Sequence, residues 1–192
     1  TQLTYYQVDT AEIRKFERQF TIIELESFFQ NLIAGYLSWA KTLVKWQQLR
    51  DESVRSLEFP FNNYRPGQRE MAVDVYRTVK NGGQLLAQAA TGIGKTMAVI
   101  FPSVKAMAEG LNTKIFYLTA RTTGRFAAEY ALDELRNARL KFKSLTITAK
   151  DKTCFKPDAA CNPEECEFAR GHFDRINGAL DEIFDQDAFT RP

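Results

Sequence analysis

Apolar and polar positions divide the chain into stretches of different period. From Leu3 to Val8 they roughly alternate, Asp9-Thr10 supplies a turn, and apolar residues recur at intervals from Ile13 to Phe20. Two such runs around a turn predict a β-hairpin. Thr21-Ile22-Ile23-Glu24 has the form of a capping box, in which the Thr21 side chain accepts from the backbone near Glu24 while Glu24 reaches back. A long helix is expected behind it, because Leu25, Phe28, Phe29, Leu32, Ile33, Tyr36, Leu37, Leu43, Val44 and Trp46 recur mostly three and four residues apart. That stripe is expected to face a core or a neighbouring domain, and its aromatic members are assigned to packing.

Residues 56–63, with Phe59-Pro60-Phe61 and two asparagines, read as a linker into Tyr64-Arg65-Pro66-Gly67-Gln68-Arg69-Glu70. Pro66 suits the first turn of a helix that runs to about Lys80 and stops at Asn81-Gly82-Gly83. Then follow a strand over Gln84 to Gln88 and a helix from about Lys95 to Glu109 closed by Gly110, with Pro102 expected to kink it or break one hydrogen bond. A second strand is expected over Lys114 to Thr119, a helix over Thr122 to Leu140 and a third strand over Ser144 to Thr148. Strands alternating with helices predict an α/β fold: a doubly wound parallel sheet of the RecA-like P-loop NTPase type. The expected organisation is a hairpin and long helix over 1–57, a partial nucleotide-binding domain over 58–149 and the start of a further domain over 150–192.

Composition narrows the picture. With 192 residues, 44% of them hydrophobic, the chain can bury a sizeable core. A net charge of +2 gives no global positive field, so contact with nucleic acid has to come from local basic patches. No apolar run approaches about 18 residues and no signal-peptide pattern opens the chain, so neither a membrane span nor export is expected, and the cytoplasm is the expected compartment. The chain starts without Met and stops at Arg191-Pro192 without a terminating pattern, which reads as a piece of a longer protein.

The octet Ala89-Ala90-Thr91-Gly92-Ile93-Gly94-Lys95-Thr96 carries the clearest chemistry. Gly92 and Gly94 let the backbone wrap with N–H groups pointing inward, and a helix opening at Gly94 adds its positive dipole end. A triphosphate is the natural guest: Lys95 would reach the β- and γ-phosphates, and the Thr96 hydroxyl would take one position on Mg2+. The strict pattern would place glycine at 89, where this chain has Ala89. A second concentration of chemistry is C-x6-C-x4-C, formed by Cys154, Cys161 and Cys166, which accompany Lys150, Lys152 and Lys156. Clustered thiols in an odd number point to metal more than to disulfides. The fourth ligand is left open between His172, which would favour zinc, and a cysteine outside this chain, which would favour iron and sulfide.

Taken in order, Tyr64 to Glu70, the phosphate loop, the run Thr119-Ala120-Arg121-Thr122-Thr123 and the cysteine block resemble the iron–sulfur DNA helicases of superfamily 2, the XPD/DinG group. The likeness covers roughly Leu57 to Asn177 and rests on order and spacing together. In that family the loop commonly begins with Ala or Glu, which accommodates Ala89. The resemblance implies that Tyr64, Arg65 and Gln68 belong to the element beside adenine. It further implies that Ala90, Thr91, Gly92, Ile93, Gly94, Lys95 and Thr96 bind ATP and Mg2+, with Lys95 and Thr96 the catalytic pair. Arg121 and Thr122 would touch the DNA backbone. Cys154, Cys161 and Cys166 would be three ligands of a 4Fe-4S cluster whose fourth ligand lies outside the chain.

Residues 1–57 resemble the closing elements of a RecB-like nuclease module, although no D…E-x-K metal site is present; a helical adaptor is the alternative. The activity implied is ATP-driven translocation on single-stranded DNA and unwinding of duplex DNA, 5′ to 3′, in repair or replication. Lysines 141, 143, 150, 152 and 156 are either a path for the strand or a solvated face. Asp133-Glu134 is the one acidic pair near the motor segment and sits in a helical pattern, so this chain alone is expected to bind nucleotide without turning it over. Two other readings stay open: a RecA-type ATPase of another class with a zinc site, and a non-catalytic nucleotide- or DNA-binding module.

Overall fold

A computed structural model describes residues 1–120 and 122–190. The chain divides into two units, Thr1–Gln48 and Leu49 onwards. The first holds the expected hairpin, β1 (Gln2–Tyr6) and β2 (Ile13–Glu17), paired antiparallel with Gln2 opposite Glu17 and Tyr6 opposite Ile13. Edge-to-face packing of Tyr5 on Phe16, 5.8 Å between ring centres, supports one face of the pair. Helix α1 (Ile22–Ser56) follows. Its capping box is complete: the Thr21 N–H donates to the Glu24 carboxylate at 2.7 Å and the Glu24 N–H donates to Thr21 Oγ1 at 3.2 Å. The bond from the Thr21 N–H, with a further one from the Thr21 hydroxyl, holds the Glu24 carboxyl below its ordinary pKa. The apolar stripe expected to face a core is open along Leu25, Phe28, Phe29, Leu32 and Tyr36.

The second unit is built on α2 (Gln68–Asn81), α3 (Lys95–Met107) and α4 (Arg125–Asn137), the last preceded by a 3-10 turn at Thr122–Gly124. Helix α2 begins two residues after Pro66 because Gly67, with φ 78°, occupies the left-handed region at its N-cap. Pro102 lies inside α3, which continues past it to Met107, and Gly110 turns the chain after it with φ 72°. The core joins Val54 and Leu57 to Met97, Ile100 and Val104 of α3, to Ala131 and Leu135 of α4, and to Leu140. Lys105 ties the end of α1 to this core. Its ammonium donates to the carbonyls of Val54, Arg55 and Leu57 at 2.8, 3.1 and 3.1 Å. Last-turn carbonyls have no partner within a helix, and a cation is the fitting donor there.

The expected parallel sheet is not formed, and this corrects the RecA-like assignment. Among the described residues the only sheets are the hairpin and a two-stranded parallel pair, β3 (Ser144–Leu145) with β4 (Ala188–Phe189). Residues 84–88 and 114–119 run without ladder partners, and Leu86 and Leu118 are 99% and 89% exposed. A buried parallel strand needs a hydrogen-bonded neighbour on each side and helices over both faces. The third run does find a partner over two residues, through Ser144 N–H to Asp187 O at 2.9 Å and Thr146 N–H to Phe189 O at 2.8 Å. Arg136 braces that pair from α4, donating to Asp187 O at 2.9 Å and Ser144 Oγ at 2.6 Å. The remaining helices are α5 (Lys150–Thr153) and α6 (His172–Ile183). Among the described residues no helix is long and apolar enough to cross a membrane.

Candidate functional site

Residues 89–94 turn the chain from the extended run at 84–88 into α3. Gly92 and Gly94 have φ 86° and 82°, a region that costs a side chain dearly and glycine little. Ala89, where a strict motif has glycine, is not among the residues with positive φ, so alanine is unstrained there. Gly94 is the N-cap of α3. The first backbone N–H groups of that helix therefore have no partner within it, and its positive dipole end lies at the loop.

Two side chains from before α2 and within it brace the loop from behind. The buried Gln68 amide donates to Gly94 O at 3.2 Å, while its Oε1 accepts from the Arg65 N–H at 3.0 Å. The Arg65 guanidinium donates to Gly92 O. The approach at Gly94 is so close that a Cβ there would lie 2.3 Å from Gln68 Nε2. The structure thus brings Arg65 and Gln68 to the carbonyls of the loop. Tyr64 stacks on Phe59, 3.8 Å between ring centres and 16° between planes, and Phe59 in turn meets Phe101 edge-on at 5.5 Å. Burial raises the Tyr64 pKa, with the Arg69 charge opposing.

Lys95 lies over the loop, donating to Ala89 O at 3.2 Å and Ala90 O at 2.9 Å. Both acceptors are neutral, so its charge is not cancelled by them, and an anion can take their place. The Thr96 hydroxyl lies 3.4 Å from the Tyr117 hydroxyl. Ala90, Thr91 and Gly92 are exposed on the loop's outer side. Ile93 turns the other way into a groove of 370 Å³ that it shares with Met71, Asp74, Leu85 and Ala87. The donor set fits a Mg2+–triphosphate: amides of the first turn of α3, an ammonium held among the described residues by two loop carbonyls, and a hydroxyl next in sequence. Arg121 lies outside the described residues; Thr122 opens the 3-10 turn, and its side chain is likewise outside the description.

Within the cysteine block the Lys150 pKa is raised, first by interaction with Cys161 and then by charge interactions with Cys154 and Cys166, against the opposing effect of desolvation. Cys166 is buried, Cys161 exposed and Cys154 between the two. An ion pair of 2.7 Å between Lys156 and Glu167 pins the block across its length. His172 opens α6 with its ring edge-on to Phe173 at 5.3 Å. Among the described residues no group of three His, Cys, Asp or Glu side chains is placed to hold a metal ion. The residues as folded therefore do not fit a 4Fe-4S cluster or a zinc site, either of which asks for thiolates converging on the metal.

Several of the lysines weighed as a DNA path have local partners. Lys143 donates to Phe184 O and Gln186 O, and burial lowers its pKa against the pull of Asp187 and Asp185; Lys156 pairs with Glu167. Periodicity and motif spacing did not reveal Tyr117 beside Thr96, nor that Gln68 and Arg65 hold the loop. Each is a contact across 21 to 27 residues that only folding reports.

No family model matches the chain, and no curated protein or solved structure matches it.

Proposed function

We propose that this chain binds the triphosphate of ATP, with Mg2+, at residues 90–96, and that the site serves an ATP-dependent DNA helicase acting on single-stranded and duplex DNA in the cytoplasm. One observation carries the binding half of this reading. The Lys95 ammonium, held among the described residues by two loop carbonyls, lies over a turn opened by two left-handed glycines at the start of α3. In use, the amides of the loop and of the first turn of α3 would bind phosphate oxygens, and Lys95 would exchange its carbonyl acceptors for the β- and γ-phosphates. Thr96 would hold Mg2+, which neutralises phosphate charge when bound. Arg65 and Gln68 would keep the loop carbonyls turned away from the anion. The helicase half rests on the order of motifs, with Arg121 and Thr122 as the DNA contacts. No role is derived for a cluster.

Hydrolysis further requires a carboxylate that positions water or Mg2+. Asp133 is paired with Arg136 at 2.9 Å on α4, so the chain alone binds nucleotide without turnover. That same pairing favours a second reading, a non-catalytic nucleotide-binding module. The experiment is calorimetric titration of the chain with ATP and Mg2+, alongside Lys95→Ala. Charge-assisted bonds of about 1.5–3 kcal/mol predict a loss of roughly 10- to 100-fold in affinity. Equal binding by the two proteins would remove the loop from the site, and ATP turnover by the chain alone would refute the statement about catalysis.

A further inference from the structure

The run 114–119 has no ladder partner, yet it is fixed at two points. Ile115 packs on the core around α3 and α4. At its far end Thr119 lies so close to the turn before α4 that a Cβ on Gly124 would come within 2.8 Å of the Thr119 Cβ. Side chains two apart on an extended chain share a side, which puts Tyr117 with the anchored Ile115, while Phe116 and Leu118 face solvent. From there the Tyr117 hydroxyl reaches to 3.4 Å from Thr96 Oγ1. A phenol flanked by both anchors, itself 39% exposed, meets the hydroxyl next to Lys95.

We infer that Tyr117 is a positioning residue for Mg2+ in the nucleotide site. This rests on the proposed binding of Mg2+–ATP at residues 90–96. A threonine hydroxyl that gives a lone pair to a cation must send its proton elsewhere, and an oriented acceptor fixes which way the lone pair points. Either hydroxyl can be the donor across this contact; with Mg2+ bound, the Tyr117 oxygen would be that acceptor, Thr96 would donate to it, and the Thr96 lone pairs would turn toward the phosphate side of the loop. No bond is made or broken. Tyr117 acts through Thr96 and touches neither nucleotide nor metal.

The test is the affinity of the full chain for ATP measured twice, with Mg2+ and with the metal removed by chelator. The ratio of the two reports metal coupling, which a purely structural effect on the loop would leave unchanged. Tyr117→Phe keeps the ring and removes only the hydroxyl. It is expected to cut the coupling ratio by about tenfold, the lower end of the effect of losing a partner of a metal ligand, with affinity in chelator unchanged. In a Thr96→Ala background the same substitution should have no effect. A coupling ratio untouched by Tyr117→Phe, in a wild-type chain that binds Mg2+–ATP, overturns the role of Tyr117 and leaves the site standing. A wild-type chain that binds no ATP overturns both.

Discussion

Replacing Gly94 by alanine should damage the loop in two separable ways. The backbone there has φ 82°, and holding an L-residue in the left-handed region costs about 1–2 kcal/mol. The new methyl would also lie 2.3 Å from Gln68 Nε2 and 3.3 Å from its Cδ, so the amide must withdraw. Gln68 is only 3% exposed, and withdrawal strands a donor without water, a cost of about 1–3 kcal/mol. Gly94→Ala is therefore expected to lower stability by roughly 2–5 kcal/mol, a large share of the 5–15 kcal/mol typical of a folded domain. The second part vanishes when the amide is already gone. In a Gln68→Ala background, Gly94→Ala should cost only the backbone part, so the double variant is more stable than the sum of the singles by about 1–3 kcal/mol. Urea unfolding of the four proteins, followed by circular dichroism, measures this directly. Additivity within about 0.5 kcal/mol would refute the claim that glycine at 94 is required by the Gln68 brace.

Two further outcomes follow from the same contacts. Hydrogen bonds from Thr21 lower the pKa of Glu24, so their contribution is complete above the ordinary value of 4.5 and is lost as pH falls through the lower folded pKa. The Thr21 amide, which donates to the Glu24 carboxylate, should therefore lose exchange protection in acid, below that ordinary value, and Glu24→Gln, which does not titrate, should abolish the pH dependence, whereas Thr21→Ala keeps the backbone donor and should only reduce it; protection that persists unchanged in acid would sink the assignment. Among the described residues no three His, Cys, Asp or Glu side chains are placed to hold a metal ion, which predicts less than one iron per chain after anaerobic purification, whereas about four irons with matching sulfide would show that the block rearranges to hold a cluster.

Local order in this protein is written locally. The capping box at Thr21 and Glu24, the hairpin, the helices after Gly67 and Gly94 and the stop at Gly110 each depend on residues a few positions apart, and each is visible in the spacing of side chains. The turn at Gly92 and Gly94 belongs with them, because left-handed glycines followed by a helix start form a unit of neighbouring residues. The sheet was the misjudgement. Apolar runs at 84–88, 114–119 and 144–148 satisfy the strand pattern, but a strand is defined by its ladder, and only Ser144 and Leu145 acquire one.

By itself, then, the sequence determined helices α1 to α4, the turn geometry at Gly92 and Gly94, and the presence of Lys95 and Thr96 at a helix start, but not α5 or α6. Only tertiary structure decided that Gln68 and Arg65 hold the loop, that Tyr117 stands by Thr96, and that Lys105 closes the end of α1. The division has a physical cause. Helix and turn preferences come from sterics and hydrogen bonds within a few residues, whereas strand pairing and buried polar contacts depend on which distant segments the core brings together.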